Sequence, residues 1–293
     1  MRRISSLNQS VLGAFLLALV INVPSGAEEN PTNALQLALK SNLEMIDPQG
    51  KPHEITGETL CVYSLAQAPG EVSVAFKYLR VKARVDNQVL VDSALSGKRH
   101  WQVVNGKVED VPVEKASEPI QKMLKECYDT PLCKIKVDAQ GAEQSREIVA
   151  GAIAQKVLVE QGQISNARLF HPPFYGDKPS WESNAEVSIG NGGVAKGNLK
   201  YERAGETKDG KTQVKVTGLL SNDRFVLPQK TLVMTQARYE VAGEQTYDAA
   251  RHEWTSGELN LKVSFRLEDP DGKQVQTAKG TMNVKLTPAT AEK

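Results

Sequence analysis

From Leu259 to Leu267 every second residue is apolar: Leu259, Leu261, Val263, Phe265 and Leu267 alternate with Asn260, Lys262, Ser264 and Arg266. A period of two places the first set on one face of a strand and the second on the other. One buried and one wet face is the pattern of an antiparallel sheet, because a parallel strand covered on both sides reads as continuously apolar. Asp269-Pro270-Asp271-Gly272 then supplies a turn, with proline presetting φ and glycine accepting positive φ. On the return, Ala278, Met282, Val284 and Leu286 face one way. The two segments predict a long hairpin, entered through Gly243 and Tyr247-Asp248.

The same alternation recurs upstream. In the C-terminal half it marks strands over Trp181 to Ile189, Ala195 to Arg203, Thr212 to Leu220 and Thr231 to Val241, separated from one another and from the last hairpin by Gly190-Asn191-Gly192-Gly193, Asp209-Gly210 and Gly243. Leu199 with Tyr201, and Val214 with Val216, share a face. In the N-terminal half strands are expected at Thr59 to Leu65, Val72 to Val85, Val89 to Val91 and His100 to Val104, the last closed by the hairpin dipeptide Asn105-Gly106. Between Val72 and Val85 the apolar phase shifts from Val72, Val74 and Phe76 to Leu79, Val81, Ala83 and Val85, which marks a bulge or a strand passing from one core to another. Ala34 to Asp47 satisfies both a strand and a helix period, with a lean to strand.

Two segments break the pattern. Val113 to Cys127 puts Ile120, Met123, Leu124 and Cys127 on one helical face, and Ala142 to Gln161 offers good helix formers with Ile148, Ile153, Val157 and Leu158 as an apolar stripe. A short strand, Leu132 to Val137, lies between them. His171-Pro172-Pro173 ends any helix before it, so the boundary between two β-rich halves falls near 170–178. The fold class expected is α+β and mostly antiparallel β: a large curved sheet or half-barrel built from two β-rich halves, 28–175 and 176–293, with one to three helices on its concave face. The two halves are expected to form one continuous domain.

Composition changes this picture little. The chain has 293 residues, 40% hydrophobic and 24% charged, ordinary for a protein with a real core. Residues 1–27 stand apart, with Arg2 and Arg3 before an apolar run to Ile21, then Pro24 and the small residues Ser25-Gly26-Ala27. That is the pattern of a secretory signal peptide cleaved near Ala27. Its apolar run is too short to span a bilayer, and no later segment reaches spanning length. A periplasmic or secreted protein is expected. Without the leader, 36 basic and 35 acidic residues become 34 and 35, a net −1, which argues against nucleic acid as a partner.

In an oxidising compartment the three cysteines invite pairing. Cys127 and Cys133 enclose five residues and form the candidate disulfide, leaving Cys61 as a buried small hydrophobe; a pairing of Cys61 with either of them stays open. No motif identifies a catalytic, cofactor-binding or metal-ligating residue. His53, His100, His171 and His252 are widely spaced and lack ligand spacing. Asp92 and Asp248 could pair for acid/base work, but both read better as turn-capping aspartates. The Gly190 to Gly193 run lacks the lysine and helix of a phosphate loop, and Asp269 to Gly272 lacks the later ligands of a calcium loop. Trp101, Trp181, Trp254, Tyr201, Tyr239 and Tyr247 could line a groove, yet packing explains them as well. Val91-Asp92-Ser93-Ala94 before His100-Trp101, and Tyr247-Asp248-Ala249-Ala250 before His252 and Trp254, hint at a duplicated unit.

The phrases "VDS" at Val91 to Ser93, "KIKVDAQG" at Lys134 to Gly141, "LFHPPFYGDKPSW" at Leu169 to Trp181, "LKYERAGETKDGKTQVKV" and "GEQTYDAARHEWTSGELNLKV" resemble an uncharacterised family of exported bacterial proteins frequent in planctomycetes. In that family a proline-rich phrase ending in Gly-Asp-Ser-Trp sits between two β halves; here His171 to Phe174 and Lys178-Pro179-Ser180 loosen it. The resemblance implies no activity and no site residues. At fold level alone, the pattern is similar to the half-barrels of periplasmic lipoprotein carriers and lipid-binding mycobacterial lipoproteins. The expected function is that of a non-enzymatic exported envelope protein binding a hydrophobic ligand on the concave face. The candidate ligand-facing residues are Leu199, Tyr201, Val214, Val216, Leu259, Leu261, Val263 and Phe265. A structural or protein-interaction module of the envelope is the alternative, and a hydrolase ranks third. Expected partners are therefore a hydrophobic small molecule or an envelope protein.

Overall fold

The computed structural model describes residues 34–68, 70–96, 99–104, 107–115, 118, 121–122, 126, 131–140, 142–149, 151, 169–190, 193–227 and 232–289. The expected signal peptide, Cys127 and the 152–161 part of the second expected helix lie outside them. Fourteen strands follow in chain order: β1 Ala34–Ile46, β2 Pro52–Ala68, β3 Glu71–Val85, β4 Gln88–Ser96, β5 Arg99–Val104, β6 Lys107–Pro112, β7 Cys133–Val137, β8 Glu143–Ile148, β9 Ser180–Gly190, β10 Gly193–Glu206, β11 Thr212–Val226, β12 Val233–Asp248, β13 Glu253–Glu268 and β14 Gln274–Pro288. All pair antiparallel in one sheet, ordered β6-β5-β4-β3-β2-β1-β14-β13-β12-β11-β10-β9, with β7 on β3 and β8 on β7. The ambiguous segment near 34–47 is thus a strand, and it does more than extend the N-terminal half. It pairs with β14 from Leu35 opposite Pro288 to Ile46 opposite Thr277 and with β2 on its other side. First and last strands therefore join the two halves into one sheet.

The expected phase change in β3 is a bulge. Tyr63 pairs with Phe76 while Val62 pairs with Tyr78, leaving Lys77 extra. Above it β3 carries β7 through Glu71 to Val74; below it β4 begins at Tyr78. The fork starts a second arm, and on the β7–β8 arm the sheet comes round towards its far end. Arg146 of β8 donates to Glu186 of β9 at 3.4 Å, although no ladder joins these two strands among the described residues. The sheet is curled and open.

Curling at this degree needs strands that bend towards the concave face, and glycine permits the bend. Each strand from β10 to β14 carries at least one inward glycine: Gly193 and Gly197 on β10, then Gly218, Gly243, Gly257 and Gly280. A Cβ on Gly243 would lie 2.1 Å from the carbonyl oxygen of Glu258 on β13, and one on Gly280 would lie 2.1 Å from that of Asn42 on β1. Gly243 was expected to separate two strands. It lies inside β12, which runs unbroken to Asp248, because the bend it allows keeps the ladder to β13 intact.

Alternation determines the core. Leu37, Leu39, Leu43 and Met45 of β1, with Leu259, Leu261, Val263, Phe265 and Leu267 of β13 and Met282, Val284 and Leu286 of β14, are all buried in one apolar cluster. Helix is nearly absent among the described residues: Val113–Lys115 is a 3₁₀ turn, and Glu118, Gln121, Lys122 and Glu126 are helical. The second expected helix is overturned at its start. Glu143 to Ile148 is the strand β8, because the free edge of β7 offers a ladder that outweighs local helix propensity. Opposite charges face each other there, Lys134 against Glu147. Asp92 is also corrected. It sits within β4 rather than in a turn, buried against the Arg80 guanidinium at 3.2 Å and the Lys82 ammonium at 3.5 Å. Its counterpart Asp248 does cap a turn, accepting the amides of Ala250 and Arg251. The two supposed repeats therefore occupy unlike places, a strand and a turn.

Candidate functional site

One end of the sheet is crossed by Leu169 to Lys178, the segment expected to separate the halves. Two prolines hold its middle extended, so it forms no ladder and must find other partners for its buried backbone. Long inward side chains supply them. The indole Nε1 of Trp254 donates to the Pro172 carbonyl at 2.8 Å, and Gln245 Nε2 donates to the Leu169 carbonyl at 3.2 Å. The Phe174 amide donates to the Gln140 carbonyl in the β7–β8 turn at 3.1 Å, and the Arg203 guanidinium to the Gly176 carbonyl at 2.7 Å. The Tyr63 hydroxyl and His171 Nε2 are 3.0 Å apart, both buried. Tyr63 belongs to the N-terminal half and Trp254 to the C-terminal half, so this strap ties them together.

Rings fill the space beneath it. Phe174 stacks on Tyr247 at 3.8 Å between centroids and meets Trp181 and Trp254 edge-on, while Trp181 stacks on Tyr201. Such arrangements satisfy ring quadrupoles and add to area burial. Four of the six aromatic residues singled out in the sequence thus share one packed cluster. Tyr239 is buried elsewhere in the core, with its phenol pushed above the usual range by burial, and the Trp101 side chain lies outside the described residues. Two buried polar atoms near the strap, Trp181 Nε1 and Gln245 Oε1, have no hydrogen-bond partner.

Beside the strap lies a half-open cleft of about 430 Å³, lined by Ala34, Leu35, Leu65, His171, Lys211, Arg251, Glu253, Trp254, Thr255 and Pro288. Leu35 and Pro288 face each other across the β1–β14 ladder. Lys211 and Arg251 come from the turns β10–β11 and β12–β13. Lys211 pairs with Asp209 at 2.7 Å and Arg251 with Glu253 at 2.8 Å. The Lys211 ammonium and the Thr207 hydroxyl hold the Asp209 carboxyl down to about 2, and Asp209 in turn raises Lys211.

The eight candidate ligand-facing residues share the inner face but do not line this cleft. Leu199, Tyr201, Val214, Val216, Leu259, Leu261, Val263 and Phe265 are 0–4% exposed, already covered by protein. Of the cleft's lining, the sequence singles out only Trp254 and His171; Leu35, Leu65, Lys211, Arg251 and Pro288 come from separate strands and turns and carried no signal beyond alternation. The histidines are scattered. His53 lies at the other end of the sheet, 2.7 Å from Asp86 and 3.3 Å from Asp47; His252 is exposed in a turn, and the His100 side chain is outside the described residues. Among the described residues no group of three or more His, Cys, Asp or Glu is placed to hold a metal ion. No disulfide is found among them either: Cys61 is a free, buried thiol, Cys133 is buried, and the expected partner Cys127 lies outside. No helix among them is long and apolar enough to cross a membrane.

The class these features define is an open, curled antiparallel sheet strapped at one end. No family model matches the chain, and no curated protein matches its sequence. Among solved structures, one of lipovitellin, described for its lipid–protein interactions, matches 91% of this chain at 9% identity with a TM-score of 0.45. This chain spans 27% of the lipovitellin chain. The β domain of the Bordetella autotransporter BrkA matches 86% of this chain and 81% of its own at 11% identity, with a TM-score of 0.17. A protein of unknown function from Nostoc punctiforme matches 84% and 94% at 7% identity, with a TM-score of 0.12. With scores below 0.5, none of these likenesses carries a functional argument.

Proposed function

We propose that this is a non-enzymatic exported protein of the cell envelope that binds a hydrophobic ligand at the strapped end of its concave face. The observation that carries the reading is the half-open cleft, whose apolar wall of Leu35, Leu65, Trp254 and Pro288 adjoins the buried inner face of the sheet. Its volume falls within the roughly 300–1,000 Å³ typical of small-molecule sites, which are mostly apolar with a few polar groups. Export rests on the leader pattern of residues 1–27, and the non-enzymatic reading on the absence of a nucleophile or metal-ligand motif in the sequence. Native mass spectrometry of protein purified from its own periplasm should show a co-purified lipid mass, and a fluorescent fatty acyl probe should bind. Leu35→Trp, which fills the cleft from a half-buried position, should weaken the probe without lowering the melting temperature. Absence of both lipid and probe affinity would refute the reading.

A second reading, an envelope structural or interaction module, draws support from the covering of all eight inner-face residues named above. On that reading crosslinking in the envelope traps a protein partner while the cleft stays empty.

A further inference from the structure

The cleft has two unlike walls, and their chemistry narrows the ligand. We propose that it takes a single acyl chain ending in an anionic headgroup, held at the rim by Lys211 and Arg251. This inference rests on the ligand-binding reading above.

The tail wall is Leu35, Leu65, Trp254 and Pro288, contributed by β1, β2, β13 and β14. The polar lining is His171 of the strap, Lys211 and Arg251 of two hairpin turns, and Glu253 and Thr255 of β13. Of these side chains Lys211 and Arg251 donate only, Glu253 accepts only, and His171 and Thr255 do either. Donors therefore outnumber acceptors where a headgroup would sit. Two further carboxylates stand close by without lining the cleft; their hydrogen-bonding capacity is taken up at their own turns, while their charges still act on Lys211. Asp248 accepts the amides of Ala250 and Arg251, and Asp209 is held by Thr207 and Lys211. The present partners of the two cations are replaceable. The Lys211 and Arg251 side chains are 31% and 56% exposed, and ion pairs that wet are weak. A ligand oxyanion can enter beside Asp209 and Glu253 while the cations keep three and five N–H donors to share. Size points the same way. About 430 Å³ lies at the small end of ligand sites, room for one chain rather than a two-chain phospholipid.

The test uses the full chain stripped of lipid and four probes with the same saturated tail: dodecanoate, dodecyl phosphate, dodecanol and dodecylammonium, titrated by calorimetry. The anionic probes should bind about tenfold more tightly than dodecanol at low salt, with the advantage shrinking as ionic strength rises. The better of dodecanoate and dodecyl phosphate identifies the headgroup as carboxylate or phosphate. Lys211→Gln with Arg251→Gln should abolish the advantage of the anions over dodecanol measured in that same variant, with little change in melting temperature, because ion pairs open to water contribute little. Equal affinity for dodecanol and the anions, or a preference for dodecylammonium, overturns the headgroup inference while the ligand-binding reading stands. Failure of every probe to bind overturns both.

Discussion

Gly243→Ala tests whether the curl of the sheet is built by close strand approach. The new Cβ would sit 2.1 Å from the Glu258 carbonyl oxygen and 2.8 Å from the Leu259 Cα. Real Cβ atoms essentially never come within 3.0 Å of such a neighbour, so β12 and β13 must part by about 1 Å. No rotamer relieves this, because alanine has none and the obstacle is backbone. Gly243 pairs directly with Leu259, inside the β12–β13 ladder. Overpacking of this kind costs about 1–3 kcal/mol, and a ladder hydrogen bond weakened by the parting adds about 1 kcal/mol. Against this, losing glycine's freedom in the unfolded chain returns about 0.4–1 kcal/mol. The net is about 1–3.5 kcal/mol.

For a chain of this length each kcal/mol moves the melting temperature by roughly 2–4 °C, so a drop of roughly 2–14 °C is expected in a thermal melt followed by far-UV circular dichroism. Gly50→Ala is the control. Gly50 has φ +80° with nothing near its missing Cβ, so it pays only the left-handed conformation, about 1–2 kcal/mol. Gly280→Ala should behave like Gly243→Ala, since it meets the Asn42 carbonyl at the same 2.1 Å. If Gly243→Ala melts within about 2 °C of the wild type, close approach does not build the curl and the argument fails.

Leu261→Asp or Phe265→Asp buries an unpaired carboxylate and should cost more than about 4 kcal/mol, enough to leave the protein insoluble; Leu219→Asp, at a site 43% exposed, should change the urea midpoint by less than about 0.5 kcal/mol equivalent. Trp254→Phe keeps the ring but leaves the Pro172 carbonyl without its donor, at about 1–3 kcal/mol; hydrogen exchange of the Phe174 amide should then quicken, and an unchanged rate would mean the strap is held by ring packing alone. Burial pushes the Cys61 thiol well above its ordinary range, so peptide mapping after a thiol reagent at pH 8 should find Cys61 unmodified in native protein and modified in urea. At the far end of the sheet the Asp47 carboxyl is lowered chiefly by the Lys51 amide, and Asp86 is lowered by His53 and the Glu54 amide against its own burial. Depressed folded values mean this stabilisation is complete above the ordinary carboxylate pKa of 3.8 and is lost as pH falls through the lower folded values. Asp47→Asn with Asp86→Asn should therefore flatten the stability profile below about pH 4.

How far the sequence carries depends on whether a feature is local. Alternation in β13 and β14 assigned their inner faces residue by residue, because a period of two is a property of the strand itself, whereas β1 met a helix period as well. The phase shift in β3 was visible for the same reason, between Phe76 and Leu79, but the pairing was needed to tell a bulge from a change of core. Pairing partners were not visible, since nothing in Leu35 or Pro288 says that the first and last strands meet. Hence the cleft between them, and the contribution of Leu65 and Trp254 to one wall, could not be assembled from the chain alone. Glu143 to Ile148 has helix formers in helical order, and it becomes a strand only because β7 presents an edge. Gly243 looked like a break because a glycine that bends a strand and one that ends it are the same letter.

The strap explains why a segment that reads as a linker ends up inside. A helix or a strand would satisfy its own carbonyls or take them to a ladder, and neither would leave any for the sheet to bind. His171-Pro172-Pro173 forbids both, so Leu169, Pro172 and Gly176 present carbonyls that Gln245, Trp254 and Arg203 must meet from β12, β13 and β10. Tyr63 and the Gln140 turn engage the same segment from β2 and the β7–β8 arm. A curled sheet whose edges are not laddered together needs some such tie, because the Arg146 bridge to Glu186 is partly exposed and worth little by itself. The tie also leaves one side of the opening uncovered, between Leu35 and Arg251, and that gap is the cleft. Closure of the fold at this end and the position of the cleft are therefore set by the same segment.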